Sequence, residues 1–148
     1  MTNQEKKEYL KQINNIDRRV DYLLTAIEKE EVRRNRLLSI SVNYENDGTQ
    51  NGPHANGTES KVIAYAEIGE YIDSLKEDIQ KLYKLKRIIK AIINNVSDAT
   101  CREILFRKYI NAENDDDICS VIGYSKSQYW KLHGDALTAV NIGQNRTE

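Results

Sequence analysis

The sequence has few of the residues that break helices or build disulfide scaffolds. Its 148 residues include one proline, seven glycines and two cysteines. So little proline, together with abundant Lys, Glu, Leu and Ile, argues against a strand-rich or loop-rich protein and favours long helices. Two cysteines, Cys101 and Cys119, are too few for a disulfide scaffold, so we expect thiols that contribute to packing rather than redox sensing.

Long apolar runs are also lacking. No stretch approaches the roughly 18 apolar residues that cross a bilayer, so we expect no membrane partner. The first residues contain no apolar signal region, which predicts a cytoplasmic protein. The sequence has no nucleophile–base arrangement, no glycine-rich phosphate loop and no metal-ligand spacing. We therefore expect no enzyme, no cofactor and no metal.

The formal net charge of −1 is unevenly distributed along the chain. Residues 98–148 carry six basic and eight acidic side chains, a net charge of −2, and three of the acids are consecutive, at Asp115 to Asp117. Domains that bind nucleic acid tightly and without sequence preference are usually basic. The charge of this segment therefore argues against strong DNA affinity of its own.

Two long helices are predicted, over residues 4–40 and 60–96. Their apolar residues recur every three or four positions, as in a coiled-coil seam. In the first helix the seam is interrupted by Glu30 and Arg34, which are expected to form a polar layer with Glu67 or Glu70. The predicted seam residues are Ile13, Ile16, Val20, Leu23, Ile27 and Leu37 in the first helix, and Tyr65, Ile68, Ile72, Leu75, Ile79, Leu82, Ile89 and Ile93 in the second.

The segment between these helices, residues 41–59, holds three of the seven glycines and the only proline, which predicts a flexible loop. Two helices of similar length joined by one loop pair most simply as an antiparallel hairpin. The sequence thus predicts an all-α fold in which residues 1–96 form a long, coiled-coil-like antiparallel helical hairpin. Apolar side chains left uncovered by this hairpin predict a homodimer.

Residues 97–141 are predicted to form a tri-helical helix-turn-helix. Its first helix runs from Asp98 to Tyr109, the second from a cap at Asn114 or Asp115 to Ile122, and the third from a cap at Ser125 to about Val140. Gly123 supplies the turn between the last two helices. Packing is expected from Ile104, Leu105, Tyr109, Ile118, Ile122, Tyr129 and Leu132, with residues 142–148 as a polar tail.

Two short stretches carry a resemblance to a known family. The run Arg102-Glu-Ile-Leu-Phe-Arg-Lys-Tyr-Ile, followed by Ile118 to Leu137, resembles region 4 of sigma-70-type factors. With the hairpin in front, the chain is similar to the ArpU/RinA-like late-gene transcription regulators of phages of Gram-positive hosts. The marks are Arg-Lys-Tyr-Ile at 107–110 and Leu-His-Gly-x-Ala-Leu at 132–137.

The resemblance implies a phage-encoded transcription regulator that binds double-stranded DNA at phage promoters, in the host cytoplasm, with host RNA polymerase as a partner. In such a protein the N-terminal part of the last helix enters the major groove. Gln128 would then read adenine, and the lysines would neutralise phosphates. The implied DNA-binding residues are Ser125, Lys126, Ser127, Gln128, Trp130 and Lys131.

Two other functions stay open at this point. The acidic residues at 115–117 fit a protein inhibitor of a host nucleic-acid-binding or defence protein, of the anti-CRISPR kind, because an acidic surface can occupy a groove made for nucleic acid. A small-terminase-like packaging protein also couples a helix-turn-helix to a helical hairpin, and ring-sized oligomers would identify it. Trp130 is interpreted as either a partly buried anchor or an exposed contact, and His133 as a structural residue.

Overall fold

The fold is all-α, as the sequence predicts. A computed structural model describes residues 1–46 and 54–143, with side chains described for 1–39 and 59–143. Across these ranges the chain forms helices and no strand, and none of the helices is both long enough and apolar enough to cross a membrane. The helices are Asn3–Lys11 (α1), Ile13–Asn46 (α2), His54–Asn94 (α3), Ala99–Leu105 (α4), Asp115–Ile122 (α5) and Lys126–Ala139 (α6).

Helices α2 and α3 extend into the segment that the sequence predicts to be a flexible loop. Helix α2 continues to Asn46 and α3 begins at His54. The loop prediction is therefore wrong for 41–46 and 54–59, while the residues between them lie outside the described ranges. Asparagine and glycine in a helix cost only up to about 1 kcal/mol each, so they do not by themselves end a long helix.

The first predicted helix is divided in two at Gln12. The backbone N–H of Gln12 donates to the carbonyl of Tyr9 at 3.3 Å, and the N–H of Asn15 donates to the carbonyl of Gln12 at 3.2 Å. The side-chain amide of Gln12 also donates to the Tyr9 carbonyl, at 3.1 Å. These bonds tighten the chain locally and separate α1 from α2, because a side chain that competes for a helix carbonyl disturbs the regular ladder.

The chain divides into two compact units. One comprises Met1–Arg18 and Leu82–Glu148, and the other comprises Arg19–Lys81. The sequence predicts a boundary after residue 96, with the first eighteen residues in the hairpin. In the structure those residues belong to the same unit as the C-terminal helices.

Contacts between α1 and the C-terminal half of α6 account for this grouping. The side-chain amide of Asn3 donates to the carbonyl of Gly134 at 3.3 Å and to the hydroxyl of Thr138 at 3.1 Å. The ammonium of Lys6 donates to the carbonyls of Leu137 and Thr138 at 3.1 and 3.2 Å. A cation at this end of a helix stabilises it, because the last carbonyls are unpaired and carry the negative end of the dipole.

The seam of the hairpin is largely confirmed. In the unit Arg19–Lys81, α2 and α3 are adjacent, and the guanidinium carbon of Arg34 lies 5.5 Å from the ring centroid of Tyr65. Glu30 pairs with Arg33 of its own helix at 3.4 Å, so the two polar seam residues are satisfied by neighbours other than Glu67 or Glu70. Leu23 and Leu37 are half-buried and Tyr65 is exposed, whereas the predicted seam residues Val20, Ile27, Ile68, Ile72, Leu75 and Ile79 are buried.

The parts of α2 and α3 that belong to the unit Met1–Arg18 and Leu82–Glu148 also have buried seam residues and an ion pair between the two helices. Here the ammonium of Lys86 on α3 lies 2.7 Å from a carboxylate oxygen of Asp17 on α2. The predicted seam positions Ile13, Ile16, Leu82, Ile89 and Ile93 are all buried.

The three C-terminal helices begin where the sequence predicts. Asp98, Asn114 and Ser125 each accept a backbone N–H at the start of α4, α5 and α6. The first helix differs at its end, because α4 passes into a π-helical turn, Phe106–Ile110, whose Tyr109 is buried. The polar-tail prediction is wrong at Ile142, which is 4% exposed, while 144–148 lie outside the described residues.

Both cysteines are free thiols, as expected. Cys101 is buried on α4. Burial raises the pKa of the Cys101 thiol to about 11, and the carboxylates of Asp98 and Asp135 act in the same direction. The thiolate is the reactive form, so this environment keeps Cys101 unreactive and supports a packing role.

Candidate nucleic-acid interface

A tight turn joins α5 to α6. Gly123 has φ 76° and ψ 23°, in the left-handed region that favours glycine, and its N–H donates to the carbonyl of Cys119. A Cβ atom at this position would meet nothing within 4 Å, so the requirement for glycine comes from the backbone conformation and not from crowding. The turn therefore depends on a glycine at this point in the sequence.

The start of α6 is closed by a reciprocal cap. The hydroxyl of Ser125 accepts the backbone N–H of Gln128 at 3.3 Å, and the side-chain oxygen of Gln128 accepts the backbone N–H of Ser125 at 3.4 Å. This is a capping box, which satisfies two helix-end donors at once. In this conformation the side-chain oxygen of Gln128 is engaged in the cap, and its NH2 group is available to a ligand.

One face of α6 packs against α4 and α5 through a small apolar cluster. Tyr129 is fully buried against Ile104 of α4 and Ile118 of α5. Cys119, Ile122 and Leu132 pack around the same cluster and are partly buried. Because Tyr129 and Leu132 face inward, the opposite face of the N-terminal half of α6 faces solvent.

The buried Tyr129 also belongs to a set of polar side chains that the sequence does not predict. The hydroxyl of Tyr129 donates to a carboxylate oxygen of Asp115, and the ammonium of Lys108 lies 2.7 Å from the same oxygen. Burial raises the pKa of Asp115, but the hydrogen bonds from Lys108 and Tyr129 outweigh it and hold that pKa below its ordinary value. Asp115 is thus a charged partner inside the fold and not simply the first residue of an acidic run.

Lys126 and Trp130, four residues apart, share the side of α6 that faces α5 and the π-helical turn. The ammonium of Lys126 lies 3.0 Å from a carboxylate oxygen of Asp116, and this hydrogen bond raises the pKa of Lys126. The ring of Trp130 has the ammonium of Lys108 at 4.9 Å from its centroid and the ring of His133 edge-on at 5.6 Å. Trp130 is nevertheless 41% exposed, so it is both a packed residue and a possible contact.

Ser127 and Lys131 are the two predicted DNA-binding residues whose side chains face solvent. They are four residues apart on the face opposite Tyr129, and both are exposed. Within the described parts of the chain, no hydrogen bond or ion pair of either side chain is present. The six implied DNA-binding residues therefore divide into a cap pair, a pair directed at α5 and the π-helical turn, and a solvent-facing pair.

Most basic side chains near α6 already have carboxylate partners. Lys108 pairs with Asp115, and Lys126 pairs with Asp116. Arg107 pairs with Glu103 at 3.0 Å and with Glu113 at 3.2 Å. Since each pair cancels a positive charge, the surface around α6 offers less to phosphates than its count of lysines and arginines indicates.

Comparison with known proteins assigns the chain to a family. The family model described as "Protein of unknown function (DUF1492)" matches residues 37–141. The chain belongs to the DUF1492 family. The DUF1492 match includes α3 to α6 and every residue of the candidate interface, but not α1 or most of α2. No curated protein and no solved structure matches the chain.

In this DUF1492 chain, the described residues contain no group of three or more His, Cys, Asp or Glu side chains that could hold a metal ion. What the site offers is therefore an exposed helix end with hydroxyl, carboxamide, ammonium and indole groups. These groups are suited to hydrogen bonding and charge contacts with a large partner.

Proposed function

We propose that the chain is a DNA-binding transcription regulator that acts at phage promoters together with host RNA polymerase, in the cytoplasm of the host cell. One observation carries the proposal: a left-handed turn at Gly123 joins α5 to a capped α6 whose Tyr129 is docked inward. This leaves Ser127 and Lys131 on the free face of the helix. Such a placement suits a recognition helix that enters the major groove by its N-terminal residues.

The roles of the residues follow from what each has available. Ser127 presents a hydroxyl and Gln128 an NH2 group to base edges, and Lys131 presents an ammonium to guanine or to phosphate. Lys126 joins them when a phosphate replaces Asp116 as its partner. Trp130 supplies apolar contact at the edge of the site.

Affinity from α6 alone is expected to be low, because the neighbouring cations are paired. We therefore propose that a homodimer or RNA polymerase raises the local concentration of DNA and compensates. Exposed apolar side chains on the hairpin are available for dimerisation through α2 and α3. They include Leu24, Val32, Val62, Ile63 and Tyr71.

The proposal is tested by fluorescence anisotropy on phage late-promoter DNA at two salt concentrations, with and without host RNA polymerase. We expect binding that favours the promoter over random duplex, and we expect Ser127→Ala with Lys131→Gln to reduce that preference. Lys29→Gln is a matched control, because Lys29 is an exposed lysine of the other compact unit. Absence of binding under every condition would refute the proposal.

A second candidate function is supported by the apolar side chains around the turn. Val121 is 58% exposed, and Tyr124 and Trp130 are each 41% exposed. Exposed aromatics among neutralised charges are typical of a protein-binding surface. A phage inhibitor of a host nucleic-acid-binding or defence protein would use this surface.

The two functions are distinguished by Val121→Glu. A protein inhibitor would lose capture of a single non-polymerase host partner through this substitution. A DNA-binding regulator would keep its promoter affinity within about twofold, because Val121 lies on α5 and outside the predicted DNA-binding set.

A further inference from the structure

The C-terminal part of α3 concentrates the positive charge of the chain. Residues 79–97 contain five basic side chains and no acidic one. The compact unit that includes residues 82–97 of this stretch, together with α6, has fourteen basic and eleven acidic residues, a net charge of +3, whereas the unit Arg19–Lys81 has a net charge of −4. The net charge of −2 over residues 98–148 therefore does not describe the unit to which α6 belongs.

Four side chains of this stretch lie along one face of α3. Tyr83, Arg87, Lys90 and Asn94 recur at steps of four, three and four residues, which places them in a single row on a helix. All four are exposed, whereas the seam residues Leu82, Ile89 and Ile93, which lie on a different side of the helix, are buried. We name this row the α3 strip.

The two cations of the α3 strip differ from the other basic residues nearby. Lys86 is paired with Asp17 at 2.7 Å, and Lys81 lies 3.9 Å from a carboxylate oxygen of Glu77. No carboxylate of the described residues forms an ion pair with Arg87 or Lys90. Their charge is thus available to an anionic partner, unlike that of Lys108, Arg107 and Lys126 around α6.

We propose that the α3 strip binds the phosphate backbone of duplex DNA and supplies the sequence-independent affinity that α6 lacks. The inference rests on the proposed DNA-binding function and assigns its electrostatic part to a different helix. Arg87 and Lys90 neutralise phosphates, while the hydroxyl of Tyr83 and the amide of Asn94 donate to phosphate oxygens. The strip extends over roughly 16 Å, the axial length of about five base pairs.

The test compares two double variants on random-sequence duplex DNA between 50 and 200 mM salt. Arg87→Gln with Lys90→Gln should lower the slope of log affinity against log salt by about 2 and weaken binding roughly tenfold at the lowest salt. Lys29→Gln with Arg36→Gln removes the same charges from exposed positions of the other unit and should change neither value. Circular dichroism verifies that all variants are folded. Equal binding by the strip variant and the wild type, or an equal loss in the control, would overturn the inference.

Promoter preference separates this inference from the proposed function. If the wild type binds random duplex through the strip but shows no preference for promoter DNA, the regulator proposal fails and the strip stands. If promoter preference is present but Arg87→Gln with Lys90→Gln has no effect, the strip fails and the regulator stands. If the wild type binds no duplex DNA, both are refuted.

Discussion

The phenolic oxygen of Tyr109 lies 2.8 Å from Nε2 of His133, and both side chains are buried. Burial, together with the positive charges of Lys108 and Lys7, lowers the pKa of His133 to about 4, although Asp115 acts against this shift. The ring is therefore neutral at neutral pH, and its Nε2 can accept a hydrogen bond from the hydroxyl of Tyr109. Burial also raises the pKa of Tyr109, which keeps its hydroxyl a donor. This pair joins the π-helical turn to α6.

The free energy of unfolding is expected to fall as the pH drops from about 6.5 to about 4. His133 has a lower pKa in the folded chain than in the unfolded chain, so the unfolded chain binds more protons in this window. The stability is fully present above about pH 6.5 and declines by as much as roughly 3 kcal/mol towards pH 4. Urea denaturation across this range measures the effect.

The control for this pH dependence is His133→Phe. It should be less stable than the wild type at neutral pH by about 1–3 kcal/mol, because the buried Tyr109 hydroxyl loses its partner. It should also lose the decline between pH 6.5 and 4. An unchanged decline in the variant, or a wild-type His133 that titrates near 6.5 by NMR, would contradict the assignment.

Releasing Lys126 from Asp116 should strengthen DNA binding. Asp116→Asn removes the carboxylate that lies 3.0 Å from the Lys126 ammonium and leaves that ammonium free to contact phosphate. We expect a salt slope steeper by about 1 and affinity roughly threefold tighter than for Asp117→Asn, which removes the same charge without freeing a lysine. Both carboxylates are exposed, so stability should change by less than about 0.5 kcal/mol. Identical binding by the two variants would show that Lys126 does not contact DNA.

Two glycines of the C-terminal helices should respond in opposite directions to alanine. Gly123→Ala places a side chain at φ 76° and should lower the free energy of unfolding by about 1–2 kcal/mol. Gly134→Ala lies within α6 and should raise it by about 0.5–1 kcal/mol. A new Cβ meets nothing within 4 Å at either position, so sterics do not confuse the comparison. Changes of the same sign would disprove the conformational explanation.

Local chemistry explains which features could be predicted from the sequence. The caps at Asp98, Asn114 and Ser125 and the turn at Gly123 depend on residues within three or four positions of each other. The sequence therefore carries the whole signal for them. The apolar seam of α3 can also be predicted from the sequence, because the periodicity of the helix sets the spacing of its buried residues.

Features that depend on how helices pack could not be predicted. In the sequence, Asp115 and Asp116 form part of one acidic run. In the structure they form ion pairs with Lys108 and Lys126, which belong to other elements. A charge count sums side chains and cannot show which of them are paired. No acidic residue lies between Asp78 and Asp98, and a net charge taken over residues 98–148 leaves out the five basic residues of that interval.

The docking of α1 on α6 is the other feature that sequence patterns do not show, and it gives a test through Lys6. The Lys6 ammonium donates to the carbonyls of Leu137 and Thr138, at the end of α6 where the helix dipole is negative. Lys6→Met keeps most of the length of the side chain but removes the charge and both hydrogen bonds. We expect it to lower the free energy of unfolding by about 0.5–2 kcal/mol.

Lys11→Met is the matched control, because it removes a lysine from the same helix. Lys11 lies 3.5 Å from a carboxylate oxygen of Glu8, and both side chains are exposed, so its loss should cost less than about 0.5 kcal/mol. Thermal and urea denaturation of the two variants measure the difference. Hydrogen exchange adds a local readout, because only Lys6→Met should speed amide exchange at the C-terminal end of α6 and at Val140 just after it. The N–H of Val140 donates to the carbonyls of Ala136 and Leu137. Equal destabilisation by both substitutions would mean that the charge of α1, and not its contact with α6, is what stabilises the unit.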